Sequence, residues 1–262
     1  CRIRAIGAVR SDGLADAASV ARWLAGPCLR WPDVLCANSR AAIENLSRLG
    51  IPGRRLRLLP NAIDTDTFLF QPPARSPMFR IVAVARLTAQ KRLDRLIRAM
   101  SVVRRQSPRP VRLTVAGDGP LRGELEQFVA SLGLHDVVTF LGAVADVRPL
   151  LVDADCLALS SDAEGTPNAV LEAMSVGRAA VVTDVGGVRD VVLDGVTGFI
   201  VPRENEHELA DRLIRLSSDA SLCERLGHEA ADAMVRRHSL PVLATTLEQL
   251  YGDVVRTAPA RS

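Results

Sequence analysis

Glu164 and Glu172 stand with seven residues between them in the stretch from Ser160 to Met174. The residues after Pro167 read as a helix opening near Asn168, which puts Glu172 about one turn in, roughly 6 Å along the axis at 1.5 Å per residue. The Gly165-Thr166-Pro167 turn leaves backbone N–H groups free between the two carboxylates. Such a row offers acceptors for sugar hydroxyls, donors for phosphate and a second acceptor pair for a ribose diol, which is the outline of a nucleotide sugar. Two glutamates at this spacing also arise by chance, so the pattern needs its context.

A second group lies on the turn after an apolar run at 80–84, where Arg86 and Lys91 fall on the turn and on the first turn of the helix expected beyond it. Cations at a helix N-terminus oppose the helix dipole by several tenths of a kcal/mol each. An anion at the site resolves that conflict, and a diphosphate suits it; two solvated surface cations are the plain alternative. Of the 33 basic residues 32 are Arg, and Lys91 is the single Lys. A compact ammonium on a flexible stem is a chemically distinct choice there.

The elements that must hold these residues follow from apolar periodicity. Strand-length runs at 80–84, 112–116, 137–141, 155–160, 179–183 and 198–201 alternate with helical segments at 120–133, 168–177, 205–217 and 221–237. Leu93, Leu96, Ile97, Met100 and Val103 repeat at helical spacing and form one apolar face. This alternation predicts an α/β fold with a parallel sheet wrapped by helices. Upstream, strands at 2–9, 33–37 and 56–59 with helices at 17–30 and 39–49 predict a second, incomplete α/β unit over 1–60. Residues 61–78, rich in Asn, Asp, Thr and Pro, read as an interdomain linker. The donor-side unit is expected at 79–238, with a terminal helix over 240–252 inside a segment 239–262.

Composition narrows the classes. The chain is 48% hydrophobic but only 3% aromatic, too few stacking residues for single-stranded nucleic acid. No apolar run reaches the roughly 18 residues of a membrane span. The five cysteines form no close pair and read as reduced structural thiols, and the setting as cytoplasmic. Residues 1–60 hold ten Arg against four acids, a local charge of +6, which suits either a solvated basic face or peripheral contact with the inner membrane face. The start at Cys1, running at once into an apolar stretch, reads as a fragment lacking its N-terminal portion.

In its motifs the chain resembles the GT-B glycosyltransferases that carry two glutamates seven residues apart, glycosyltransferase family 4. The matching blocks are Val34–Ser39, Leu59–Asp64, Arg86–Lys91, Val115–Pro120, Phe140–Gly142, Glu164–Gly177 and Gly186–Gly198, in the family's order and over nearly the whole length. Ala62 and Ala85 stand where the family often has Gly, and Val188-Arg189-Asp190 replaces a common Ile-Pro-Glu. The resemblance implies two Rossmann-like domains, the N-terminal one incomplete here, and transfer of a hexose-type sugar from a UDP- or GDP-sugar to a glycan, lipid or small-molecule acceptor with retained configuration. It implies that Arg86 and Lys91 hold the donor diphosphate, that Glu164 binds the transferred sugar and that Glu172 binds the ribose. Backbone groups of Gly165, Thr166, Pro167 and Asn168 would touch sugar and phosphate, and Ala143 and Val144 would lie by the base. No metal or other cofactor is implied, and this portion alone is not expected to turn over.

Several signals are set aside. Asp153 and Asp155 imitate a metal-binding Asp-x-Asp pair but precede their strand. Gly117-Asp118-Gly119-Pro120 lacks the residues of a phosphate loop and reads as a tight turn. The four histidines have no carboxylate at useful spacing, and Ser39 reads as a helix cap with Asn61 a structural residue opening the linker. An oxidoreductase would need a Gly-x-Gly-x-x-Gly on the first turn, where Arg86 and Lys91 stand instead. A nucleotide-sugar epimerase of the same build, or a donor-binding non-catalytic relative, remains as an alternative.

Overall fold

A computed structural model describes residues 4–10, 29–74 and 76–256. Two parallel sheets organise them. The smaller has three strands, β1 (Ile6–Val9), β2 (Val34–Ala37) and β3 (Leu56–Leu58), in that order. The larger has six, β4 (Phe79–Val84), β5 (Val111–Ala116), β6 (Val138–Gly142), β7 (Cys156–Leu159), β8 (Ala179–Thr183) and β9 (Gly198–Val201). Their order in space is β6-β5-β4-β7-β8-β9. The chain therefore winds outward one way from β4, returns to β7 beside it, and winds outward the other way. In such sheets the crevice where the winding reverses is the usual place for a ligand, because the loops leaving the two central strands diverge.

The helices are α1 (Arg40–Arg48), α2 (Leu93–Gln106), α3 (Arg122–Ser131), α4 (Arg148–Asp153), α5 (Asn168–Ser175), α6 (Val188–Val191), α7 (Glu206–Ser218), α8 (Ala220–Arg237) and α9 (Leu240–Arg256). The short α4 and α6 carry no readable period, and α9 runs past the expected end at 252. Of the helix expected at 17–30, residues 17–28 lie outside the described residues, as do Cys1 and Cys28. Residues 61–78 contain no helix or strand among those described.

Alternation within the strands loads both faces of the large sheet. Ile81 and Ala83 face the core under α2 and α7, whereas Val82 between them faces the core under α4 and α5. The predicted stripe of α2 is buried throughout, each of its large apolar side chains contributing roughly 1.5–3 kcal/mol. The helix stops at Gln106, two residues before Pro108, whose ring and missing N–H oppose further helix. On the small sheet Leu35 and Ala37 pack under α1, while Cys36 on the other face meets Leu250 and Val254 of α9. Cys36, Cys156 and Cys223 are buried free thiols, and burial pushes each of them up from the usual thiol range.

Two polar features explain signals in the sequence. Arg80 forms ion pairs with Asp153 at 2.6 Å and Asp155 at 3.1 Å, so these acids anchor a strand. Arg178 is fully buried and forms no ion pair among the described residues. Its guanidinium instead donates to the carbonyls of Leu151 and Val152 in α4, of Val176 and Gly177 after α5, and of Gln71. It thus caps two helix C-termini at once, where a cation is favoured. Burial lowers its pKa to about 10, still above neutral pH. Replacing Arg178 by Ala leaves these carbonyls unsatisfied and is expected to cost about 3 kcal/mol or more of unfolding free energy by urea denaturation. An R178A midpoint equal to the parent's would contradict this account.

Candidate functional site

The loops after β4 and β7 meet at the reversal point. The first holds Arg86 and continues through a 3-10 turn, Ala89–Lys91, to Arg92. Lys91 thus precedes α2 and does not sit on its first helical turn as the sequence suggests. The reason is Arg92, which adopts a left-handed conformation with φ 46°, the one positive φ among the described non-glycine residues. For a residue with a Cβ this costs about 1–2 kcal/mol. It is offset by contacts, since Arg92 pairs with Asp94 at 3.0 Å and with Asp162 at 3.1 Å. Burial pushes Asp162 up, but Arg92 and Arg95 outweigh it and hold the carboxyl below its usual range.

Further bonds stitch the two loops together. Ser160 Oγ donates to the carbonyls of Lys91 and Arg92, Asp162 N–H donates to Gln90 O, and Gln90 Nε2 donates to Ala163 O. Buried Arg95 adds a bond from α2 to Ser160 O. The outcome is that Lys91 Nζ lies 2.6 Å from Glu164 Oε1, which also accepts a 2.6 Å bond from Ser161 Oγ. The predicted phosphate cation and the predicted sugar carboxylate are therefore direct partners. Glu164 is buried, and a cavity of about 280 Å³ bordered by Asn45, Glu164, Asp184 and Arg203 opens beside it. A cavity of about 330 Å³ at the opposite end of the strands, bordered by Arg109 and Asp155, contains none of these residues.

Glycines permit this packing. A Cβ on Gly186, at φ 50°, would lie 1.7 Å from Glu164 O, and one on Gly119 would lie 2.6 Å from Leu87 O. The Gly117–Gly119 turn thereby clamps the Arg86 loop, with Leu87 N–H donating to Asp118 O. Arg86 itself is exposed. Ala143 is exposed and Val144 half-buried, both just past β6.

Glu172 occupies the first turns of α5 and is half-buried, and its carboxylate has no hydrogen-bond or ion-pair partner among the described residues. Burial alone raises its pKa. An unpaired, partly desolvated carboxylate is a cost to folding that a ligand hydroxyl would offset. Between the two glutamates the chain is held from the small sheet. Thr166 Oγ1 donates to Asn38 O at 2.7 Å, and Asn61 Nδ2 donates to Asn168 Oδ1 at 2.7 Å and to Thr166 O at 3.3 Å. Asn61, expected only to open a linker, touches the site. Buried His238 supports it through a 3.0 Å contact of Nδ1 with Asn61 O, which no sequence spacing signals. No group of three or more metal-type side chains occurs among the described residues, and none of their helices is long and apolar enough to cross a membrane.

With this geometry in view, residues 78–219 match the model of the family described as glycosyl transferases group 1. The chain belongs to that family. It is 32% identical over 176 residues to the alpha-D-kanosaminyltransferase of Streptomyces kanamyceticus, covering 66% of this chain and 45% of that protein. It is 26% identical over 232 residues to the N-acetyl-alpha-D-glucosaminyl L-malate synthase of Bacillus anthracis, covering 86% and 60%. The chain thus spans about half the length of these relatives. The crystal structure of Anabaena Alr3699/HepE in complex with UDP-glucose superposes with a TM-score of 0.83 at 23% identity, over 94% of this chain and 72% of that one. At that identity the likeness establishes the fold, the paired parallel α/β sheets of GT-B glycosyltransferases.

Because the pKa of Glu172 is raised on folding, its contribution to stability falls as pH rises through the carboxylate range. Glu172→Gln is therefore expected to melt above the parent at pH 7, with the gap closing as pH falls and the native carboxyl takes up its proton. Thermal melts of both proteins between pH 3 and about 8 measure this. A variant less stable than the parent at pH 7 would show that the carboxylate is paired after all.

Proposed function

We propose that the protein serves a retaining glycosyltransferase, binding a UDP- or GDP-sugar across the loops after β4 and β7. The observation that carries this reading is the Lys91–Glu164 pair at the reversal of strand order, beside an unpartnered Glu172. In this reading residues 79–238 form the donor-side domain, residues 1–60 belong to the acceptor-side domain, and 61–78 link them. Arg86 and Lys91 bind the diphosphate, Glu164 the transferred sugar, Gly165 to Asn168 the sugar and phosphate, Glu172 the ribose, and Ala143 and Val144 the base. The UDP-glucose bound to the Anabaena neighbour of the same fold supports such a ligand.

Transfer then makes one bond and breaks one on the same face. The acceptor oxygen bonds to the anomeric carbon, the bond from that carbon to the phosphate oxygen breaks, and the acceptor proton passes to the departing phosphate. Lys91 and Arg86 stabilise the charge that grows on the diphosphate, the kind of preorganised electrostatics that dominates many such barriers. In this reading paired Lys91 and exposed Arg86 do this work and no metal ion is required. The acceptor is a glycan, lipid or small molecule met by the acceptor-side domain, and the +6 charge of residues 1–60 suits work at the inner face of a membrane.

Calorimetric titration with UDP, GDP and their common sugar conjugates tests the reading. One base class is expected to bind, equally well with and without EDTA, and Lys91→Ala should weaken that binding roughly 10- to 100-fold by removing a charge-assisted contact. A folded chain that binds neither diphosphate would sink the donor-site assignment.

A further inference from the structure

Arg10 lies immediately past β1 of the small sheet, at the strand end that faces the donor loops. Its backbone is fixed by a 3.1 Å bond from Asn38 Nδ2 to Arg10 O, and Asn38 in turn receives Thr166 Oγ1 on its own carbonyl. The guanidinium spends one Nη2 donor on Asn61 Oδ1 at 2.8 Å. Through that single asparagine it is joined to Thr166 O and Asn168 Oδ1. It is exposed, it forms no ion pair, and its remaining donors have no partner among the described residues.

Electrostatics makes this placement unusual. The guanidinium is one asparagine removed from Asn168, the first residue of α5, and that helix end carries positive potential that disfavours a cation. Neither of the residues it reaches through Asn61 is a carboxylate, and no acidic side chain pairs with it among the described residues. The position is also specific along the site: Thr166 and Asn168 lie between the carboxylate assigned to the sugar, Glu164, and that assigned to the ribose, Glu172. What lies between sugar and ribose in a nucleotide sugar is the diphosphate. Lys91 approaches from the β4 loop, and Arg10 approaches from the other sheet.

We propose that Arg10 is a third cation of the donor site, contributed by the small sheet, and that it binds the sugar-side phosphate of the nucleotide sugar. The assignment rests on the donor-site reading above. It gives the small sheet a direct contact with the donor, so that diphosphate binding draws the two sheets together across the loop Glu164–Asn168. Guanidinium and phosphate form paired charge-assisted hydrogen bonds that an ammonium reproduces only in part.

The test is titration of the 262-residue chain, as parent, Arg10→Met and Arg10→Lys, with nucleoside diphosphate and with the corresponding monophosphate of the base that the parent prefers. R10M is expected to weaken the diphosphate about tenfold and leave the monophosphate unchanged, with R10K between it and the parent. The melting temperature without ligand should stay at the parent's value, because the side chain is exposed. A mere latch between the sheets would instead lower the melting temperature and weaken both nucleotides alike, and that result overturns the proposal. Unchanged diphosphate binding in R10M overturns the Arg10 assignment alone. A parent that binds neither UDP nor GDP overturns the donor reading and this assignment together.

Discussion

The reversal of strand order between β4 and β7 is the constraint on which the rest of the structure depends. A parallel strand can be left only at its C-terminal end, and a crossover helix must then carry the chain to one side. Where two adjacent strands send their crossovers to opposite sides, the loops above them part and backbone groups face an open crevice. Lys91 and Glu164 come from those two loops. Their 2.6 Å contact spans 73 positions of sequence, and it exists because the sheet puts β4 next to β7.

Charge placed in a crevice must be held there, and the structure does so mostly with neutral bonds. Ser160 Oγ, Gln90 and the backbone of Asp162 fasten one loop to the other, so the ammonium and the carboxylate keep their geometry without relying on each other. Arg92 and Asp162 add an ion pair that stabilises a left-handed residue at the start of α2. Strain of this kind persists only where the surroundings over-determine it, and it concentrates at functional sites. Glu172 is the complementary case, a half-buried carboxylate without a partner among the described residues, its pKa raised by burial.

The small sheet is bonded to the segment between the two glutamates. Asn38 and Asn61 bond to the segment between the two glutamates, Arg10 bonds to Asn61, and His238 at the end of α8 contacts Asn61 O. Arg178 performs the matching task at the far end of α5, fixing the helix that carries Glu172 by its C-terminal carbonyls.

Much of this was legible in the residues themselves. Apolar runs of strand length located all six strands of the large sheet and period-3.6 apolar patterns the long helices, because burial writes directly into local order. The lone Lys and the two glutamates stood out for the same local reason, their unusual type and spacing. The short α4 and α6 escaped, having too few residues to show a period. The position of Lys91 before α2 escaped as well, since it depends on a strained Arg92 that distant Asp162 sustains. Which groups touch was beyond the sequence altogether: the Lys91–Glu164 pair, the bonds of Asn61 to Thr166, Asn168 and Arg10, and the burial of Arg178 among carbonyls all join segments far apart in the chain. Local order along the chain determines which faces are apolar and where turns fall, whereas the order of strands in the sheet decides which loops become neighbours, and only the folded sheet contains that order.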